Sequence, residues 1–157
     1  MYKINQRYQT DNRPRRSMAR EAYRFWAFVG GLERYRQLII ADIVSRDRIG
    51  SSGGISKPTE AEVLRIEERY DACRGALSDL EAVELAFKQM AAMPNGKEMR
   101  GVVQRACCVQ PSKRLVRNDL SARISIAAAE LHISERTAWR MLAQACDMYA
   151  ANRGLKL

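Results

Sequence analysis

The chain has 157 residues, 46% of them hydrophobic and 7% aromatic, with 27 Lys+Arg against 18 Asp+Glu and a net charge of +9. That length bounds it to one or two small domains, too little for a large enzyme, and the charge favours a polyanionic partner. No apolar run approaches the roughly 18 residues of a membrane span, and the first fifteen residues lack the apolar core of a secretory signal, so no membrane contact and a cytoplasmic location are expected.

Charge is unevenly spread along the chain. Residues 1–57 hold 12 basic and 5 acidic side chains, residues 58–93 hold 4 and 8, and residues 94–157 hold 11 and 5. Two basic ends flank an acidic middle, a pattern that suits two contact surfaces better than one.

Residues 1–17 read as a flexible basic arm, with Arg13, Arg15 and Arg16 around Pro14 and no apolar period. Helical spacing begins near Met18 and runs to Arg48. Gly30-Gly31 interrupts or kinks it after the aromatic cluster Tyr23, Phe25, Trp26 and Phe28. The stretch IGSSGGISK, residues 49–57, reads as a linker loop within a helical region spanning 18–77.

Thr59 and Glu62 have the spacing of a capping box, so a helix starts there. Val63, Ile66, Tyr70, Cys73 and Leu77 form a narrow apolar seam that suits a helix pair or a homo-oligomer contact. Ser78 and Glu81 repeat the box spacing, which places a helix break near residues 75–78. Pro94-Asn95-Gly96 ends the next helix, and another runs from Lys97 to Val109 before Pro111. Nothing alternates with the period of a half-buried strand, so the chain reads as all-α.

The last stretch, SIAAAELHISERTAWRMLAQA, has the layout of a helix-turn-helix. Ile126, Ala127, Ala128 and Leu131 form the inner face of a first helix, and their small members permit a close crossing. His132 occupies the turn position where glycine is usual, and histidine is among the residues enriched in left-handed backbone. Ile133 plugs the core, Ser134 caps the second helix, and Ala138, Met141 and Leu142 continue inward. Glu135, Arg136, Thr137 and Arg140 are left facing outward. Arginine grips guanine or phosphate, threonine a thymine methyl, and glutamate accepts from cytosine. Ser134 joins them at a helix N-terminus suited to phosphate. Lys113, Arg114, Arg117 and Arg123, upstream, are further candidates for phosphate contacts. For Trp139 two readings stand open: packing on a neighbouring helix, or contact with a protein partner or the DNA backbone.

No Gly-rich phosphate loop, metal-ligand cluster or catalytic constellation occurs, so no catalytic residue, metal or cofactor is expected. Cys73, Cys107, Cys108 and Cys146 lack metal-site spacing and read as reduced core or boundary residues.

The order of elements from Leu77 onward resembles region 4 of bacterial sigma factors: two helices, a basic connection, then a helix-turn-helix. The pattern IA-x-x-L-x-IS-x-x-T is matched by Ile126, Ala127, Leu131, Ile133, Ser134 and Thr137. The overall plan, with Phe25-Trp26 in a basic helical first half and a terminal helix-turn-helix over 78–157, is similar to bacteriophage late-gene antitermination proteins of the Q class. Some of those carry zinc, whose cysteine spacing is lacking here. The resemblance implies a factor that binds double-stranded DNA near a late promoter. It would load onto RNA polymerase, with or without its sigma factor, in the bacterial cytoplasm and suppress pausing and termination. Another helix-turn-helix DNA-binding role, such as sigma-like regulator, repressor or small terminase subunit, is the alternative. The lopsided charge leads to the further expectation that deleting residues 1–57 spares DNA affinity but removes the transcriptional effect.

Overall fold

The computed structural model describes residues 13–47, 59–113 and 115–155, and every regular element among them is an α-helix. In chain order these are α1 (Arg13–Val29), α2 (Leu32–Asp47), α3 (Glu60–Ala72), α4 (Arg74–Ala91), α5 (Gly96–Cys107), α6 (Arg117–Leu131) and α7 (Glu135–Asn152). The all-α expectation holds. None of these helices is long and apolar enough to cross a membrane.

Residues 13–17, read as the end of a flexible arm, are helical instead. Pro14 falls in the first turn, where a missing N–H costs nothing, and Arg16 is anchored 3.7 Å from Asp147 of α7. The remainder of that arm and the linker at 49–57 lie outside the described residues.

Gly30 and Gly31 end α1 as the sequence indicates, with φ of 81° and 101°. Both their amides donate to the Trp26 carbonyl. The cap of α2 then comes from far away. Glu84 Oε1 of α4 accepts from the Leu32 amide at 2.9 Å and from Trp26 Nε1 at 3.3 Å. No local residue provides that acceptor.

The Thr59 capping box forms as predicted, with Thr59 N donating to Glu62 Oε2 at 2.8 Å and Glu62 N to Thr59 Oγ1 at 3.3 Å. α3 lies against α2 and α4, and Ile66, Tyr70, Cys73 and Leu77 are half-buried while Val63 stays exposed. The second box does not form. The break falls at Cys73, and Ser78 sits inside α4 because the Leu77 amide donates to the Cys73 carbonyl and carries the helix through. Glu81 reaches Arg36 of α2 at 3.3 Å rather than turning back. Between α4 and α5, a Cβ at Gly96 would collide with the Met90 carbonyl, so only glycine fits that corner.

The core is one cluster drawn from α1 and α4–α7. On α7 the buried residues Ala138, Met141, Leu142, Ala145, Cys146 and Tyr149 recur every three or four positions, a single apolar stripe. α4 answers with Leu80, Val83, Phe87 and Met90. α1 is part of the same core. Tyr23 is fully buried, its Oη donates to the Ala145 carbonyl at 2.8 Å, and its ring lies 5.6 Å from Phe87 and 6.2 Å from Tyr149. At the far end of α7, Asp79 Oδ1 accepts from Tyr149 Oη at 2.9 Å and from Arg153 Nε at 2.7 Å. These contacts fix the direction in which α7 leaves the core.

Candidate nucleic-acid interface

α6, a turn and α7 form the helix-turn-helix. His132 adopts φ 56° and ψ 41°, the left-handed conformation inferred from its position. The Ile133 amide donates back to the Ala128 carbonyl at 3.0 Å, closing α6 in a Schellman-type turn, and Ile133 packs against the core. Ala127, Ala128 and Ala138 are buried, so small side chains line the α6–α7 crossing. Ile126 departs from the predicted inner face and is 55% exposed. It sits about 100° around the helix from Ala127, which puts it past the edge of the buried stripe.

Ser134 caps α7: its Oγ accepts from the Thr137 amide at 3.1 Å and donates to Thr137 Oγ1 at 2.8 Å. Thr137 is half-buried, with its hydroxyl already engaged in the cap. Glu135 is exposed, and Ser125 of α6 donates to its Oε1 at 2.8 Å. Arg136 and Arg140 are exposed on successive turns, with no ion pair or hydrogen bond to another described residue. Lys113 is exposed in the α5–α6 connection. Arg123 is half-buried, and its Nη1 donates to the Ala106 carbonyl at 3.1 Å, closing the end of α5. Arg117 is the first residue of α6, and Arg114 lies outside the described residues. The fold thus gathers Ser134, Glu135, Arg136, Thr137 and Arg140 on two turns of one helix, while Arg123 has a structural tie of its own.

Beside these turns lies a feature that sequence reading missed. The first turns of α1 meet the start of α6 and the flank of α7 around a cleft of about 630 Å³. Arg16, Arg20 and Glu21 form part of its rim; Leu115, Val116, Leu120, Leu142 and Ala143 supply apolar lining, and Trp139 stands in it 39% exposed. Arg16 and Arg20 precede Trp139 by well over a hundred residues, so no local pattern could have paired them.

The cysteines among the described residues are free thiols, with Cys107 and Cys146 buried. Burial pushes the Cys146 thiol up to about 12 and the Cys108 thiol up to about 11, and drives Cys107 well above its ordinary range. Thiols held protonated in this way are poor nucleophiles and poor metal ligands. No protein family, curated protein or solved structure matches the chain.

Proposed function

We propose that this chain binds double-stranded DNA with the first two turns of α7 and acts as a transcription antitermination factor on bacterial RNA polymerase. The observation behind the DNA reading is the pair Arg136 and Arg140, exposed and without partners among the described residues, on a helix that follows a left-handed turn. Four residues apart on a helix, they are separated by about 6 Å along its axis, within reach of neighbouring base pairs. Glu135, tethered by Ser125, offers an acceptor beside them. The N-terminus of α7 at Ser134 suits a phosphate. The net charge of +9 adds the sequence-independent share of affinity.

The polymerase half of the reading comes from the order of helices, which resembles sigma region 4 and the Q-class antiterminators. Its test is in vitro transcription across a strong terminator on a template carrying the cognate late promoter. Read-through should rise with the wild-type chain and not with Arg136→Glu/Arg140→Glu. In the double variant, specific DNA affinity should drop by at least about thirtyfold, since each bidentate contact discriminates by roughly 1–3 kcal/mol, while circular dichroism stays unchanged. Sequence-specific retention by that variant would refute the DNA reading. Specific binding without any read-through would refute antitermination and leave a repressor or another DNA-binding role.

A further inference from the structure

We propose that the cleft between α1, the start of α6 and α7 is a docking site for an acidic segment of a partner protein, one whose apolar side chain is flanked by carboxylates. The apolar half of the recognition is the lining of Leu115, Leu120, Leu142 and Trp139, with Val116, 53% exposed, at its edge. An exposed indole beside aliphatic side chains is the composition of an interface anchor pocket.

The charged half is Arg16 and Arg20. Arg16 Nε is shielded from solvent yet has no hydrogen-bond acceptor; Asp147 stands 3.7 Å away, outside hydrogen-bond distance. The Arg16 side chain as a whole is 37% exposed, so its guanidinium can still meet a carboxylate arriving in the cleft. Arg20 has no ion pair to a described residue. The acidic neighbour Glu21 is already engaged by Arg24, through Nε at 2.9 Å and Nη2 at 2.6 Å. Over the apolar lining the rim therefore presents Arg20, unpaired among the described residues, beside Arg16, whose charge is shared with Asp147.

A nucleotide fits less well. Apart from the arginines and Glu21, the polar groups in the lining among the described residues are Ser17 and the Trp139 indole N–H, so there is little to read the edge of a base. The site is centred to one side of the DNA-reading face. At about 100° per residue, the mean direction of Trp139, Leu142, Ala143 and Cys146 lies roughly a quarter-turn from that of Arg136 and Arg140.

The test uses a short fluorescein-labelled peptide in which leucines alternate with glutamates. Fluorescence anisotropy should show saturable binding that Arg16→Glu/Arg20→Glu weakens about tenfold or more. Replacing the peptide's glutamates by glutamine should weaken it similarly. A second variant, Ala143→Trp, fills the cleft without changing charge and should also block the peptide. In the unmodified protein, the Trp139 indole N–H resonance should move on titration while that of Trp26 stays. Arg136→Glu/Arg140→Glu should keep the peptide and lose duplex DNA, and Arg16→Glu/Arg20→Glu should do the reverse. Absence of binding, or binding indifferent to both cleft variants, overturns the proposal. So does displacement of the peptide by a single-stranded oligonucleotide that itself shifts the Trp139 indole, or loss of duplex binding in Arg16→Glu/Arg20→Glu.

Discussion

His132 carries the backbone through a left-handed conformation that glycine adopts without strain and histidine at a cost of about 1 kcal/mol or more. Its place between α6 and α7 makes it a hinge position for the pair, so its conformation sets how α7 is presented. His132→Gly should therefore stabilise the fold or leave it level, within about 1 kcal/mol. His132→Val should destabilise it by about 1–3 kcal/mol. Urea unfolding of the two variants checks both, and equal stability of the glycine and valine forms would contradict the assignment. The buried thiols make a second residue-level prediction. Burial pushes Cys146 up to about 12 and Cys108 up to about 11 from an ordinary 9.0, and raises Tyr23 and Tyr149 above their ordinary 10.0 as well. The folded state holds these protons longer than the unfolded state. Their contribution to stability is complete below about pH 8 and is lost as the pH rises past 9 toward 12. The melting temperature should fall across that alkaline window, and a flat profile to about pH 11 would show that the groups are not buried as described.

At the scale of elements, the helix starts draw on two kinds of source, local hydroxyls and a distant carboxylate. α3 and α7 are capped by their own neighbours, Thr59 and Ser134, through hydroxyls that any reader of the sequence can find. α2 is capped by Glu84, 52 residues away, which also holds the Trp26 indole. Glu84→Ala removes the acceptor for both donors at once, and should cost about 1–2 kcal/mol by urea unfolding. Glu84→Gln keeps an acceptor oxygen and should cost less. If alanine and glutamine behave alike, the cap contributes nothing. The α6–α7 pair was legible for a similar reason. Small residues, a turn residue tolerant of positive φ, a serine cap and an apolar stripe follow one another within about thirty residues, and each is governed by local backbone chemistry. The α3–α4 boundary was misplaced because Ser78 and Glu81 satisfy the same local rule, while Glu81 is drawn instead to Arg36.

Across the whole molecule, the basic first segment and the basic last segment are parts of one packed body at α1 and α7. Ala19, Ala22 and Tyr23 sit in the core with Phe87, Ala145 and Tyr149. Deleting residues 1–57 consequently does more than remove charge. It strips a buried aromatic, worth about 3–5 kcal/mol when truncated to alanine, from a domain whose total stability is about 5–15 kcal/mol. The truncated chain should lose cooperative thermal unfolding, and with it DNA affinity, contrary to the expectation of separable lobes. A sharp transition near that of the full chain would restore that expectation. The same packing brings Arg16 and Arg20 alongside Trp139, so that one wall of the proposed docking cleft depends on α1 staying in place.

The all-α architecture, the helix ends with hydroxyl caps, the left-handed turn at His132 and the outward arginines of α7 were determined by the sequence itself. Each depends on residues a few positions apart, whose geometry is set by backbone sterics and the helical period. The tertiary structure alone decided which helices share the core, that Glu84 caps a distant helix, that Ile126 is exposed, and that Arg123 closes α5. It also decided that two arginines from α1 border the flank of α7. Those facts follow from burying an apolar stripe against whichever surface accepts it, a choice made over the whole chain at once and marked by no local spacing.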